Sequence, residues 1–136
     1  MEVLASAAVV AIGMTAMASL SGTLMLQEEL SWRVAVVRNY QENMARLWQL
    51  GIDPRQVTAL MPDQANNALL NQIINGTPSL VQTGTSNPSG LGTMQTAAVT
   101  ASVNISQDPK IEKQGAPLTL SVYRPSLPSS MRPAAP

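Results

Sequence analysis

The chain contains neither cysteine nor histidine. Their absence removes disulfides, thiol nucleophiles, imidazole bases and every metal site built on sulfur or imidazole. Phenylalanine is missing as well, and aromatic residues make up only 3%, so any core must form without the usual large side chains. Charged residues are scarce at 12%, with eight acids against eight bases. That balance lacks the basic excess with which proteins grip nucleic acid, and no nucleic-acid partner is expected. Serines are many, but with no histidine and no Ser-x-x-Lys spacing none has an evident activating base. We therefore expect no enzyme, no small-molecule substrate and no cofactor. A length of 136 residues suits one small domain.

What the chain does have is one uncharged stretch, residues 3–26, which carries Val3, Val10, Gly13, Leu20 and Leu26 along its length. As a helix it is about 36 Å long, enough to cross a hydrocarbon layer of roughly 30 Å. Ser6, Thr15, Ser19, Ser21 and Thr23 dilute its hydrophobicity. Ala7, Ala11, Gly13, Ala18 and Gly22 are small enough for close approach of neighbouring helices in lipid, so the stretch reads either as a lone anchor or as a packed membrane helix. Ala16-Met17-Ala18 resembles a signal-peptide cleavage site, but the preceding Met1-Glu2 is acidic where a secretory signal is basic.

Beyond Leu26 the pattern becomes amphipathic. Leu30, Val34, Val37, Met44 and Trp48 recur at steps of three, four and seven, and charged residues such as Glu28, Arg38, Glu42 and Arg46 stand largely around them. These five form the helix face expected to pack on the rest of the protein. One helix over residues 2–50 is the simplest reading, about 70 Å long. Gly51 suits its left-handed terminus, and Asp53-Pro54 caps and opens the next helix.

Met1-Glu2-Val3-Leu4-Ala5, then an uncharged helix of small residues, then an amphipathic continuation ending near a glycine, resembles the N-terminal region of type IV pilins and of the pseudopilins of type II secretion systems. The resemblance covers about the first fifty residues and implies a leader and cleavage site upstream of Met1. It implies that Glu2 pairs with the N-terminal amine of a neighbouring subunit and so serves subunit assembly, a long helix laid on an antiparallel sheet, and partners that are other pilin or pseudopilin subunits and membrane lipid. It places the protein in the cytoplasmic membrane of a bacterium, single pass, with its head on the periplasmic or extracellular side. Independently of the resemblance, Glu2 also fits an acid lying at headgroup level near the helix N-terminus. The bases nearest the apolar stretch, Arg33, Arg38 and Arg46, lie on its C-terminal side, which taken alone would leave the head cytoplasmic. A basic leader upstream would reverse that balance. A small single-pass membrane adaptor or holin-like protein is the alternative.

The remainder reads as a small head over residues 52–124. A short helix ends at Met61-Pro62, and a second is expected over residues 64–74, capped by Asp63. Residues 76–92, rich in Ser, Thr, Gly and Pro, read as a loop outside any core. Residues 96–105 alternate, as do Leu118, Leu120 and Val122 between Pro117 and Pro125, which predicts an antiparallel hairpin covered by the helix. The fold class expected is α+β, with a disordered tail over 125–136. Asp108 and Glu112 are too few carboxylates for a calcium site, so no metal is expected. Asn75-Gly76-Thr77 and Asn104-Ile105-Ser106 match the short glycosylation pattern.

Overall fold

The computed structural model describes residues 2–106 and 115–126, with side chains from Ser6 onward. It is α+β: helix α1 (Glu2–Gln49), short helices α2 (Pro54–Leu60) and α3 (Ala68–Ile73), and strands β1 (Ile74–Ser86), β2 (Met94–Asn104) and β3 (Gly115–Pro125). The chain divides into two units, Met1–Trp32 and Arg33–Pro136. The boundary falls inside α1 and not at the helix end near residue 51, because residues 33–49 belong to the core of the second unit.

In the first unit the helix is unbroken and its described side chains are exposed, except for a partly buried Glu29. Gly13 and Gly22 interrupt nothing, although interior glycines cost an isolated helix about 1 kcal/mol each.

In the second unit α1 ends in a paired terminal motif. The Ile52 amide donates to the Leu47 carbonyl (3.3 Å) and the Gly51 amide to the Trp48 carbonyl (2.9 Å), with Gly51 at φ 99°. Two otherwise orphaned carbonyls are thereby satisfied, and Leu47 and Ile52 both pack on the core as such a terminus favours. Asp53 then caps α2, its carboxylate accepting from the Arg55 amide (2.9 Å), with Pro54 in the first turn. The second short helix departs from expectation. Asp63 accepts from the Ala65 amide and only shapes a turn, whereas Asn67 accepts from the Leu69 and Leu70 amides and caps a helix of six residues. Two capping side chains compete within one turn of chain, and the later one starts the helix.

The sheet has three antiparallel strands in the order β1-β2-β3, one more than the expected hairpin. The added strand lies where a loop was expected over residues 76–92; the loop itself is only the turn after Ser86. Glycine takes its place in β1 at irregularities, since register shifts fall between Asn75 and Ser79 and between Gln82 and Gly84, with Gly76 at φ 73° and Gly84 at φ 146°. Leu80 is buried, so β1 contributes to the core.

Pro117 lies inside β3, two residues after its start, while Pro125 is its last residue as expected. The Ser126 amide donates to the Thr93 carbonyl (3.0 Å), continuing the β2–β3 register by one pair. Alternation from that pair points the backbone groups of odd-numbered β3 residues to the outer edge, where a proline's missing N–H costs nothing. The core lies between α1 and the inner sheet face, where Ala97, Val99, Ala101 and Val103 of β2 are all buried, as expected from their alternation. Ile105, expected on the same face, lies past the strand and is exposed.

Open space surrounds the Cβ direction of Gly51, so only its backbone conformation resists substitution. Gly51→Ala should therefore lower unfolding free energy by about 1 kcal/mol, read by denaturant titration of the full chain in micelles.

Candidate functional site

The features that bear on function are the open apolar run of α1 and, in the second unit, the contacts by which α1 is held. In the first unit Val10, Leu20 and Leu26 are more than half exposed, and Gly13 has nothing near its Cβ direction. Glu2 and Val3 lie in α1, but their side chains are outside the described set. By length and composition this helix is able to cross a membrane, and none of its most apolar window is buried. Its two threonine hydroxyls bond within the helix. Thr15 Oγ1 donates toward the Ala11 and Ile12 carbonyls (2.9 Å each), and Thr23 Oγ1 to the Leu20 carbonyl (2.8 Å). Such back-bonding satisfies the hydroxyl without water, the condition lipid imposes on polar groups.

In the second unit the face of α1 runs through Val34, Val37, Gln41, Met44 and Trp48, in steps of three, four, three and four. Val37, Met44 and Trp48 are fully buried and Val34 is partly so, as expected of that face. Leu30 is not part of it: it belongs to the first unit and is 41% exposed. The helical period places Leu30 on the same side as Val34, yet the packed stretch begins only at Arg33.

Gln41 was hidden in the seven-residue step between Val37 and Met44. It is buried, and its Nε2 donates to the Val99 carbonyl of β2 (3.1 Å) and the Leu118 carbonyl of β3 (2.7 Å). One side chain thus straddles the seam between two strands. Tyr40 beside it donates to the Pro62 carbonyl (3.2 Å). Burial first, and the Asp63 carboxylate second, raise its phenol above the ordinary value, so it stays a neutral donor.

Two arginines hold the flanks of this packed stretch. Arg33 Nη1 donates to the Asn104 and Ser106 carbonyls (3.0 Å each) at the end of β2. Arg124 of β3 lies over the Trp48 ring, its guanidinium carbon 4.3 Å from the centroid. Its Nε donates to Gln95 Oε1 (2.7 Å) and its Nη1 to the Trp48 carbonyl (2.6 Å), one of the terminal carbonyls of α1. A cation at a helix C-terminus also opposes the partial negative charge there. Gln49 Nε2 adds a bond to the Tyr123 carbonyl (3.1 Å). Trp48 Nε1 is buried without a hydrogen-bond partner, a cost of about 1–3 kcal/mol that its large buried ring must outweigh. By contrast the Glu42–Arg46 pair, one helical turn apart at 3.8 Å, is exposed and contributes little.

Neither glycosylation asparagine is fully exposed. Asn104 is buried, donating from Nδ2 to the Gln72 carbonyl (3.0 Å) and accepting from the Ser106 amide (3.2 Å). Asn75 lies across the outer sheet face so close to Gly115 that a Cβ there would collide with it. Asp108, Glu112 and residues 127–136 lie outside the described residues.

Neither protein families, curated proteins nor solved structures yield a match to this chain.

Because the two carbonyls that Gln41 reaches also have sheet partners available, removing its amide orphans little, whereas a carboxylate there would be buried and repelled by them. Gln41→Leu should stay within about 1 kcal/mol of the parent and Gln41→Glu should lose at least about 3 kcal/mol at neutral pH, both read by thermal or denaturant unfolding.

Proposed function

We propose that this protein is a structural subunit anchored by its helix, a minor pilin-like or pseudopilin-like component of a type IV pilus or type II secretion filament. On this reading it sits in the cytoplasmic membrane of a bacterium, with its second unit on the periplasmic or extracellular side. The observation that carries the reading is α1 itself. One uninterrupted helix presents an uncovered apolar run and, further along, a stripe bound to an antiparallel sheet by Gln41, Arg33 and Arg124. Such a helix serves two surroundings at once, and in a filament its apolar run meets the same run of neighbouring subunits. Small residues along it allow that approach. Glu2, assigned to assembly, is then a membrane carboxylate that requires a cationic partner, which a neighbour's N-terminal amine supplies.

The position of Arg33, Arg38 and Arg46 favours a second reading, a single-pass adaptor or holin-like protein with its head in the cytoplasm. Subunit contact separates the two. Because the chain has no cysteine, Ala11→Cys introduces a unique thiol into the apolar run. In membranes of cells carrying the filament system, we expect oxidation to join it to an equivalent thiol in a second copy or in the major subunit. Glu2→Ala should leave insertion intact and reduce that product by at least about tenfold, the loss expected when about 1.4 kcal/mol of pairing is removed. Full insertion with no cross-linked product would contradict the filament reading.

A further inference from the structure

The sheet face turned away from α1 carries no charged side chain among the described residues. From Gln64 through Ser106 no charged residue occurs, and Arg124, the charged residue of β3, alternates to the inner face. The register sets this outer face in rows. Ser79, Thr100 and Thr119 stand side by side, and Val81, Ala98 and Ser121 form the next row. One row further the Thr83 and Thr96 hydroxyls bond at 2.9 Å, with Tyr123 registered beside Thr96 and 51% exposed. The result is a surface rich in hydroxyls and methyls, with one exposed aromatic ring.

The sheet edges are poorly suited to adding a strand. On β3 the outer edge loses its N–H groups at Pro117 and Pro125, and on β1 the two register shifts break the spacing a partner strand would need. The face is the larger continuous surface. With no charge it offers nothing to nucleic acid, an anionic lipid surface or a charged peptide. Three strands at about 4.8 Å spacing and some 30 Å of length present on the order of 400 Å2, half of the roughly 800 Å2 per partner that a stable protein interface buries. A second copy stacked on this face alone would be undersized. A neutral sugar chain fits it better: it is narrow, it bears hydroxyls that Ser and Thr can both donate to and accept from, and its C–H faces stack on an exposed aromatic ring.

We propose that the outer sheet face binds a neutral polysaccharide, with Tyr123 stacking on a sugar ring and the hydroxyls of Thr96, Thr100, Thr119 and Ser121 bonding along the chain. This site is independent of whether the helix assembles into a filament.

The test uses the full chain in a sugar-free zwitterionic detergent, incubated with microcrystalline cellulose and with chitin, and measures depletion from solution. Retention is expected on at least one of them and should not change when salt is raised about tenfold, since no charge takes part. Tyr123→Ala and Thr119→Glu should each reduce retention at least about tenfold, a loss of about 1.4 kcal/mol. Both positions are exposed, and unchanged far-ultraviolet spectra and melting would show that the fold is kept. Absence of retention on both polysaccharides, or retention that neither variant reduces, overturns the proposal. So does a dimer in sedimentation that Thr119→Glu dissociates while no polysaccharide binds, which would make the face a contact between copies.

Discussion

Packing of α1 against β2 is the contact on which the second unit depends. The apolar residues that the central strand presents to the core are Ala97, Val99, Ala101 and Val103, and the chain has no phenylalanine to place above them. The volume has to come from the helix, and Trp48 and Met44 are the largest of the fully buried side chains. Small residues on the strand leave room for the large helix side chains that fill the space between them, as dense interiors require. Gln41 then fixes rotation and axial position, because its amide meets both the Val99 and Leu118 carbonyls only at one setting of the helix. Arg124 fixes the end of the same contact by binding the Trp48 carbonyl while covering its ring.

The same helix has a second obligation. Over residues 6–26 its stability in water rests on local hydrogen bonds and weak propensities, with two glycines and several serines and threonines reducing it. In lipid the backbone has no competing solvent, and the threonine hydroxyls are already bonded within the helix. An apolar surface this open in water is the ordinary signature of a surface that belongs against lipid or another helix. The filament proposal assigns both to it. The protein's scarce charges are distributed accordingly: none in the apolar run, none on the outer sheet face among the described residues, most along α1 beyond Leu26 and around α2.

Much of this architecture could be read from residues alone, and what could not has identifiable causes. The uncharged run, the Gly51 terminus and the Asp53-Pro54 start are local signals whose physics does not depend on the rest of the chain. Alternation in β2 and β3 was equally plain. β1 was not, since its Gly, Ser, Thr and Pro content matches loop composition. Its strand conformation depends on pairing with β2, with glycines absorbing the register shifts. Gln41 escaped notice because a polar residue inside an apolar stripe breaks a hydrophobicity pattern, and only the strand carbonyls opposite explain it. Arg124 carries no local signal of its role, because its partners, the Trp48 carbonyl and Gln95, lie far earlier in the chain. Leu30 shows the reverse error, a residue in correct period that belongs to the first unit and is exposed.

The central claim, that the sheet holds only while residues 33–49 of α1 lie on it, is tested most directly by native-state hydrogen exchange on the full chain in micelles. The account predicts that the amides of Val99 and Ala101 in β2 and of Met44 and Ala45 in α1 share one opening free energy, equal to that of global unfolding, and lose it together as denaturant is added. Strand amides that stay protected while those helix amides exchange through a lower-energy opening would mean that the sheet stands without the helix, and would contradict it.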